Sequence, residues 1–414
     1  MTKKLTTADK QQAHQKSPRR GGIRLGSIAG VEFHMDWSLL LIFGVILLSL
    51  AMAAFPQWHP NWSPAAHWGV AFVAAVLFFV SVATHELSHA LVARARGIPV
   101  RRITLFVFGG MAHMEKEPPS PKDELLMAGV GPLVSIAIGL LATGAGMLLA
   151  GPAVTGNIET SAQAAFQAMG PGTTLLLWLG PINLMLGIFN MVPGFPLDGG
   201  RVLRAALWWT SGNIEKATRR ASAAGQAVAW TLMVMGIAMA FGFSVPIFGS
   251  GVFSGLWLVL IGWFLSNAAR ASYQQLLVQQ RLAEVRVGDL MRYQVTTVRP
   301  DTSIESVLRD HLLRTQQRFV PVIGDNAEIL GLVGPENLRS IPRDRWNEVQ
   351  AHDVMTPASQ VDTISPDGDA ADALRHLRST SQSEIPVVLN ERLVGFVGLD
   401  DIARYLSLPM GSHA

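Results

Sequence analysis

The chain contains no cysteine among its 414 residues. That absence excludes a disulfide-stapled secreted domain, a Cys-x-x-Cys zinc site and a thiol nucleophile. Charge is scarce as well. Asp, Glu, Lys and Arg make up 15% of the chain, where a soluble globular protein carries about 25%. A hydrophobic share of 49% and a mean hydropathy of +0.31 exclude disorder as a description of the whole. The few charges are unevenly spread. Residues 1–24 hold seven Lys/Arg against one acid, residues 25–269 eleven against ten, and residues 270–414 fifteen against nineteen. This reads as a basic tail, an apolar body and a mildly acidic soluble end, long enough for two or more domains. The basic residues form no aromatic-interleaved patch. The sequence pI of 9.4 therefore points to a membrane surface, and nucleic acid is not an expected partner.

Six apolar runs read as membrane spans: Trp37–Phe55, Trp68–Ala90, Leu125–Ala150, Thr173–Val192, Ala221–Phe243 and Val252–Leu265. Thirty-six residues precede the first run, so it is taken as a span and not as a signal peptide. The connections 56–67, 151–172 and 244–251 contain no Lys or Arg, whereas the opposite set carries many, among them Arg94, Arg101, Arg201, Arg204 and Arg270. That asymmetry places both termini in the cytoplasm. The segment Val100–Met114 alternates and carries Gly109-Gly110. It predicts extended, hairpin-like backbone at membrane depth, with an ordinary cytoplasmic loop as the alternative.

The second span ends in His85-Glu86-Leu-Ser-His89. Two histidines at i and i+4 face one side of a helix and can bind one metal ion, with Glu86 beside them as a base for water. Ionisable groups inside an apolar helix are expensive, and such groups usually mark a functional site. A secondary role for Glu86, orienting a histidine, is the alternative. Catalytic zinc usually takes three protein ligands, so a further donor is needed. The fourth span runs into Asn190-Met-Val-Pro193-Gly-Phe-Pro196-Leu-Asp198-Gly199-Gly200-Arg201, where prolines break the helix beside an acid. Asp198 is a candidate ligand from the cytoplasmic side; alone it also reads as the cap of a helix over Arg201–Trp209. Asn190 is either a helix cross-link or a donor to a peptide carbonyl. His34 and His113 lack partners at ligand spacing and read as polar packing residues.

These motifs resemble the site-2 proteases, polytopic zinc metalloproteases that cleave substrates within the membrane. The likeness covers about residues 20–270. It rests on HELSH at 85–89, NMVPGFPLDGGR at 190–201, FGGMAHMEKEPPSP at 108–121 followed by Gly131-Pro132, and GIRLGSIAGVEFHMDW at 22–37. The resemblance implies one zinc ion held by His85, His89 and Asp198, with Glu86 activating water and Asn190 placing the scissile peptide. It implies a transmembrane protein as substrate and the lipid bilayer as surroundings.

Residues 285–349 and 350–410 align with each other at an offset near 65, Asp289-Leu-Met291 answering Asp353-Val-Met355 and Gly331-Leu-Val333 answering Gly395-Phe-Val397. They resemble a pair of CBS domains, which implies an adenosine nucleotide as possible ligand and association into a homodimer. The usual Gly-x-x-Ser/Thr-x-x-Asp motif has lost both hydroxyls here, and only Asp401 keeps the carboxylate. The expected fold class is thus a polytopic α-helical membrane domain of six spans followed by an α/β tandem CBS module. The expected order is a tail (1–24), a metalloprotease domain (25–270), a linker (271–284) and two CBS domains (285–349, 350–410). A CBS-gated transporter or channel, or an inactive helix-binding relative, are the alternatives to an intramembrane endopeptidase.

Overall fold

The computed structural model describes residues 22–408, apart from 108, 115–117, 161, 247–248, 315–316, 326–327, 340, 381 and 391; at 111–114, 152–160, 162–163 and 379–380 it describes the backbone alone. Two compact units divide the chain, Met1–Gln274 and Gln275–Ala414.

Among the described residues six helices are long and apolar enough to cross a membrane, and all but the end of the last belong to the first unit: α1 (Trp37–Trp58), α2 (Pro64–Ala95), α3 (Pro121–Gly151), α4 (Pro171–Asn190), α6 (Ile214–Ala240) and α7 (Val252–Ala283). All six expected runs lie within or largely overlap them. Their starts follow local rules. Ser63 accepts a hydrogen bond from the Ala66 N–H ahead of α2, with Pro64 in its first turn. Asn213 accepts from the Lys216 N–H ahead of α6. α3 ends where Gly151 turns left-handed at φ 70°. α3 and α4 pack backbone to backbone, for a Cβ on Gly139 would lie 2.9 Å from the Gly180 carbonyl oxygen.

A four-stranded sheet completes this unit. β1 (Ile23–Ile28) pairs antiparallel with β2 (Val31–Met35), β2 parallel with β3 (Val100–Phe106), and β3 antiparallel with β4 (Gly109–Met114). The alternation of 100–114 thus produces a hairpin. Val31, Phe33, Ile103 and Leu105 point to one face and bury with Val82, Ala90 and Ala93 of α2 and with Met127 of α3. The sheet is thereby fixed to the stretch of α2 that holds the two histidines. The short α5 (Asp198–Ser211) follows α4 after a turn at 191–197.

The expected linker at 271–284 is helical to Ala283 as part of α7. No Gly or Pro interrupts 270–283, and Leu276 and Leu282 are buried. Hydropathy falls there because Gln and Arg occupy the other face, which removes the signal of a span but not of a helix.

The second unit has strands β5 (Val320–Ile323), β6 (Ile329–Val333), β7 (Thr356–Pro357), β8 (Glu384–Leu389) and β9 (Arg392–Gly398), with helices α8 (Ala370–Thr380) and α9 (Leu399–Ser407). It has two cores, and each borrows from the other repeat. Val285, Val287 and Met291 bury with α8, β8, β9 and α9. Ala351 buries with β5 and β6, where Val354 and Met355 also pack. The repeats therefore exchange the segments that precede them, and neither core closes without the other repeat.

Asp401 lies inside this exchange. Its Oδ2 accepts from the Gly398 N–H at 2.9 Å and from Arg292 Nε at 3.1 Å, while Arg292 Nη2 donates to Glu384 Oε1 at 2.5 Å. Burial opposes the Arg292 charge, and the two carboxylates outweigh it, raising the guanidinium above its usual pKa. The first repeat puts Asn337 at the equivalent position, accepting from Gly334 N–H and donating to the Val354 carbonyl and Thr356 hydroxyl. Replacing Arg292 by Ala leaves two largely buried carboxylates facing each other. We expect a loss of about 2 kcal/mol from the second repeat, read as a lower midpoint in thermal unfolding.

Candidate metal centre and active site

α2 is helical through His85 and His89, so both imidazoles leave the same face, one turn apart. Asp198 is the first residue of α5. It does not cap that helix, because Leu197 occupies the cap position. Its Oδ2 stands 3.1 Å from His85 Nε2 and 3.2 Å from His89 Nε2, and the two Nε2 atoms are 3.2 Å apart. The side chains of His85, His89 and Asp198 are 4%, 11% and 17% exposed. Among the described residues no other group of three His, Asp or Glu converges in this way.

The other nitrogen of each ring decides what this triangle is. His89 Nδ1 lies 2.5 Å from the Met127 carbonyl oxygen, which can only accept, so Nδ1 carries the proton. His85 Nδ1 lies 2.9 Å from Ser135 Oγ and can donate to it in the same way. Both Nε2 atoms then present lone pairs towards a carboxylate oxygen. Three lone pairs facing one another repel unless a cation stands between them. Tetrahedral donors at about 2.0–2.1 Å from zinc are separated by about 3.3 Å, close to the distances observed. The three residues therefore fit a zinc ion.

α3 supplies the backing. Met127, Gly131 and Ser135 recur every four residues on one face, and a Cβ at Gly131 would stand 2.1 Å from His89 Nε2 and 2.8 Å from His85 Nε2. Only a glycine leaves that space open. Glu86 turns to the sheet. The Gly110 N–H donates to its carboxylate, and a Cβ at Gly110 would fall 2.3 Å from Glu86 Cγ. The base candidate is thus held against β4, outside the donor triangle.

A match to the description "Peptidase family M50" covers residues 73–234, and two matches to "CBS domain" cover 287–343 and 351–408. "Putative zinc metalloprotease Rip3" of Mycobacterium tuberculosis is 32% identical over 390 residues, spanning 94% of each chain. The chain belongs to peptidase family M50. This M50 peptidase is also similar to "Zinc metalloprotease MJ0392" of Methanocaldococcus jannaschii, 29% identical over 386 residues and spanning 93% of this chain and 96% of that one. The solved "Site-2 Protease from Methanocaldococcus jannaschii" is 28% identical, with a TM-score of 0.39, and covers 61% of this chain and 95% of that one. The peptidase is accordingly a multi-pass membrane protein of the zinc metalloprotease class, with six candidate spans and two CBS domains.

Other expected site residues lie apart from the triangle. Asn190 ends α4, and its Nδ2 donates to the Leu186 carbonyl at 3.0 Å; among the described residues it makes no hydrogen bond to Glu86 or the three donors. His34 stands 3.2 Å from Glu32 on β2, a pairing in keeping with the packing role expected of it. The His113 side chain lies outside the described ones. Sequence reading missed Ser135, the Met127 carbonyl and Gly110. A lone serine at i+4 from Gly131 in an apolar helix was the sole signal for the first. Replacing Ser135 by Ala is expected to weaken zinc binding by about tenfold, measured by chelator competition on the purified protein.

Proposed function

We propose that the protein is an intramembrane endopeptidase that hydrolyses a peptide bond in the transmembrane segment of another membrane protein. The observation that carries the reading is the convergence of Asp198 on His85 and His89, which lie with Glu86 in a helix long and apolar enough to cross a membrane. A zinc ion held by these three residues supplies Lewis acidity towards the scissile carbonyl and makes water at the site easier to deprotonate. Glu86 takes the proton of the attacking water and passes it to the departing amine. Asn190 keeps the part that the family resemblance gives it, donating to the carbonyl of the scissile peptide once its amide turns from Leu186. The sheet helps to exclude bulk water, because β4 covers one side of Glu86.

The bias of Lys and Arg supports cytoplasmic termini and a site open towards the cytoplasmic half of the bilayer. The CBS pair is assigned a regulatory part, with an adenosine nucleotide as its ligand class and a second copy of the chain as its partner. Asp401 is the carboxylate available to a ribose, and a nucleotide there must compete with Arg292 and Gly398 for it. A nucleotide-dependent rise in unfolding midpoint supports that assignment, and an unchanged midpoint at millimolar nucleotide refutes it.

The deciding test compares the membrane proteomes of cells carrying the wild type and Glu86→Ala. A membrane-protein stub that accumulates only in the variant identifies both the activity and its substrate. Vesicle flux that depends on the protein but not on Glu86 would replace this reading with the transporter.

A further inference from the structure

The three donors come from two helices, and a third helix, α3, orients both imidazoles. Nothing in the donor triangle itself sets α3 against α5. A pair of charges outside the triangle links the two helices. Glu124 sits in the first turn of α3 with its side chain fully buried (0% exposed), and Arg204 lies two turns into α5 at 7%. Arg204 Nε donates to Glu124 Oε1 at 2.6 Å, and Nη2 reaches the same oxygen. Arg201 Nε stands 3.9 Å from it. The Arg204 guanidinium also lies 5.4 Å from the centre of the Phe195 ring, in the turn that delivers Asp198.

The spacing makes this pair a tie between the two supports of the centre. On α3, Glu124, Met127, Gly131 and Ser135 follow one another at helical intervals; the first holds Arg204, and the other three meet His89 and His85. On α5, Arg204 lies six residues after Asp198, about 120° around the axis, so the rigid helix and not a shared face carries the constraint from the charge to the ligand. A fully buried ion pair is usually no more stabilising than apolar residues of the same volume. What it adds is a fixed separation and roll, because two nitrogens of one planar guanidinium converge on a single buried oxygen.

We propose that Glu124 and Arg204 are positioning residues of the metal centre. Their ion pair sets the register between the helix that orients the imidazoles and the helix that supplies the carboxylate. The proposal rests on the reading of His85, His89 and Asp198 as the zinc ligands. The sequence offered Arg204 only as a topology charge and Glu124 not at all.

The test uses the full-length protein in detergent. It reads zinc content, zinc affinity by chelator competition, the visible spectrum of the cobalt-loaded form, and thermal unfolding. The wild type is expected to hold one zinc, and His89→Ala none; a wild type whose zinc survives His89→Ala overturns the ligand reading and this proposal with it. With that control passed, Glu124→Gln is expected to bind zinc at least about tenfold more weakly and to alter the cobalt spectrum. The double variant Glu124→Leu/Arg204→Met removes both charges. It should unfold at or above the wild-type temperature and still show the weak affinity and altered spectrum. Wild-type affinity and spectrum in that folded double variant would reduce the pair to a packing element and overturn the proposal. Arg204→Lys guards against misfolding, since it keeps the charge and loses the fork; it should bind zinc better than Arg204→Gln, and equal affinities would also overturn it.

Discussion

Glu86→Gln is expected to lose peptide-bond cleavage by about a thousandfold while retaining one zinc per chain, because a positioned general base contributes about 10²–10⁴ in rate. The reasoning is geometric. Glu86 adjoins His85 in the chain yet takes no part in the donor triangle. Its carboxylate accepts from the Gly110 N–H and packs against that glycine. Glutamine has the same shape and keeps an oxygen for the same bond, so the sheet and helix need not move. Only the capacity to accept a proton disappears. The measurement pairs cleavage of a transmembrane substrate in liposomes with metal analysis of the same preparation. A variant that cleaves within tenfold of wild type would assign proton transfer to another group. A variant that loses its zinc would make Glu86 part of the binding set.

Gly131→Ala should have an effect as large by the opposite route, with zinc lost and the fold kept. One methyl group would stand 2.1 Å from His89 Nε2, 2.5 Å from its Cε1 and 2.8 Å from His85 Nε2. The rings cannot swing aside freely, since their other nitrogens are held by Met127 and Ser135. Alanine is the better helix former by about 1 kcal/mol, so α3 itself gains. We expect affinity for zinc to fall at least a hundredfold, cleavage to fall with it, and the unfolding midpoint of the metal-free protein to hold or rise. Full zinc loading in Gly131→Ala would mean that the triangle is not where the ion sits.

What was legible in the sequence follows from the range of each signal. Spans are long apolar runs, and His85 and His89 sit one helical turn apart, so each of these can be read from a single window. Asp198 was accessible because a proline-broken span end with an acid is unusual by itself. Ser135 and the Glu124–Arg204 pair carry no such mark, and Gly131 was marked only by the family likeness, without its place behind the histidines. Each acquires its meaning from a residue 42 or more positions away, against which nothing local is conspicuous. The parallel pairing of β2 with β3 was illegible for the same reason, as Glu32 meets Arg102 across both α1 and α2. In the CBS unit the internal alignment was sound, but alignment reports similarity and not neighbourhood. Residues 285–291 align with 349–355 and yet pack into the other repeat's core. The end of α7 at 271–283 carries no long apolar run, since glutamines and an arginine interleave with its leucines.

The separation of 113 positions between His85 and Asp198 has a consequence for biosynthesis. Chains are made at about 5–20 residues per second, so the carboxylate leaves the ribosome many seconds after the histidines are in place. Throughout that interval the two imidazoles of α2 lack the carboxylate that completes their triangle. Under the proposed function, a chain holding two of the three donors is not expected to cleave other membrane segments. Proteolytic competence arrives late, with the turn at 191–197, when four spans are already made.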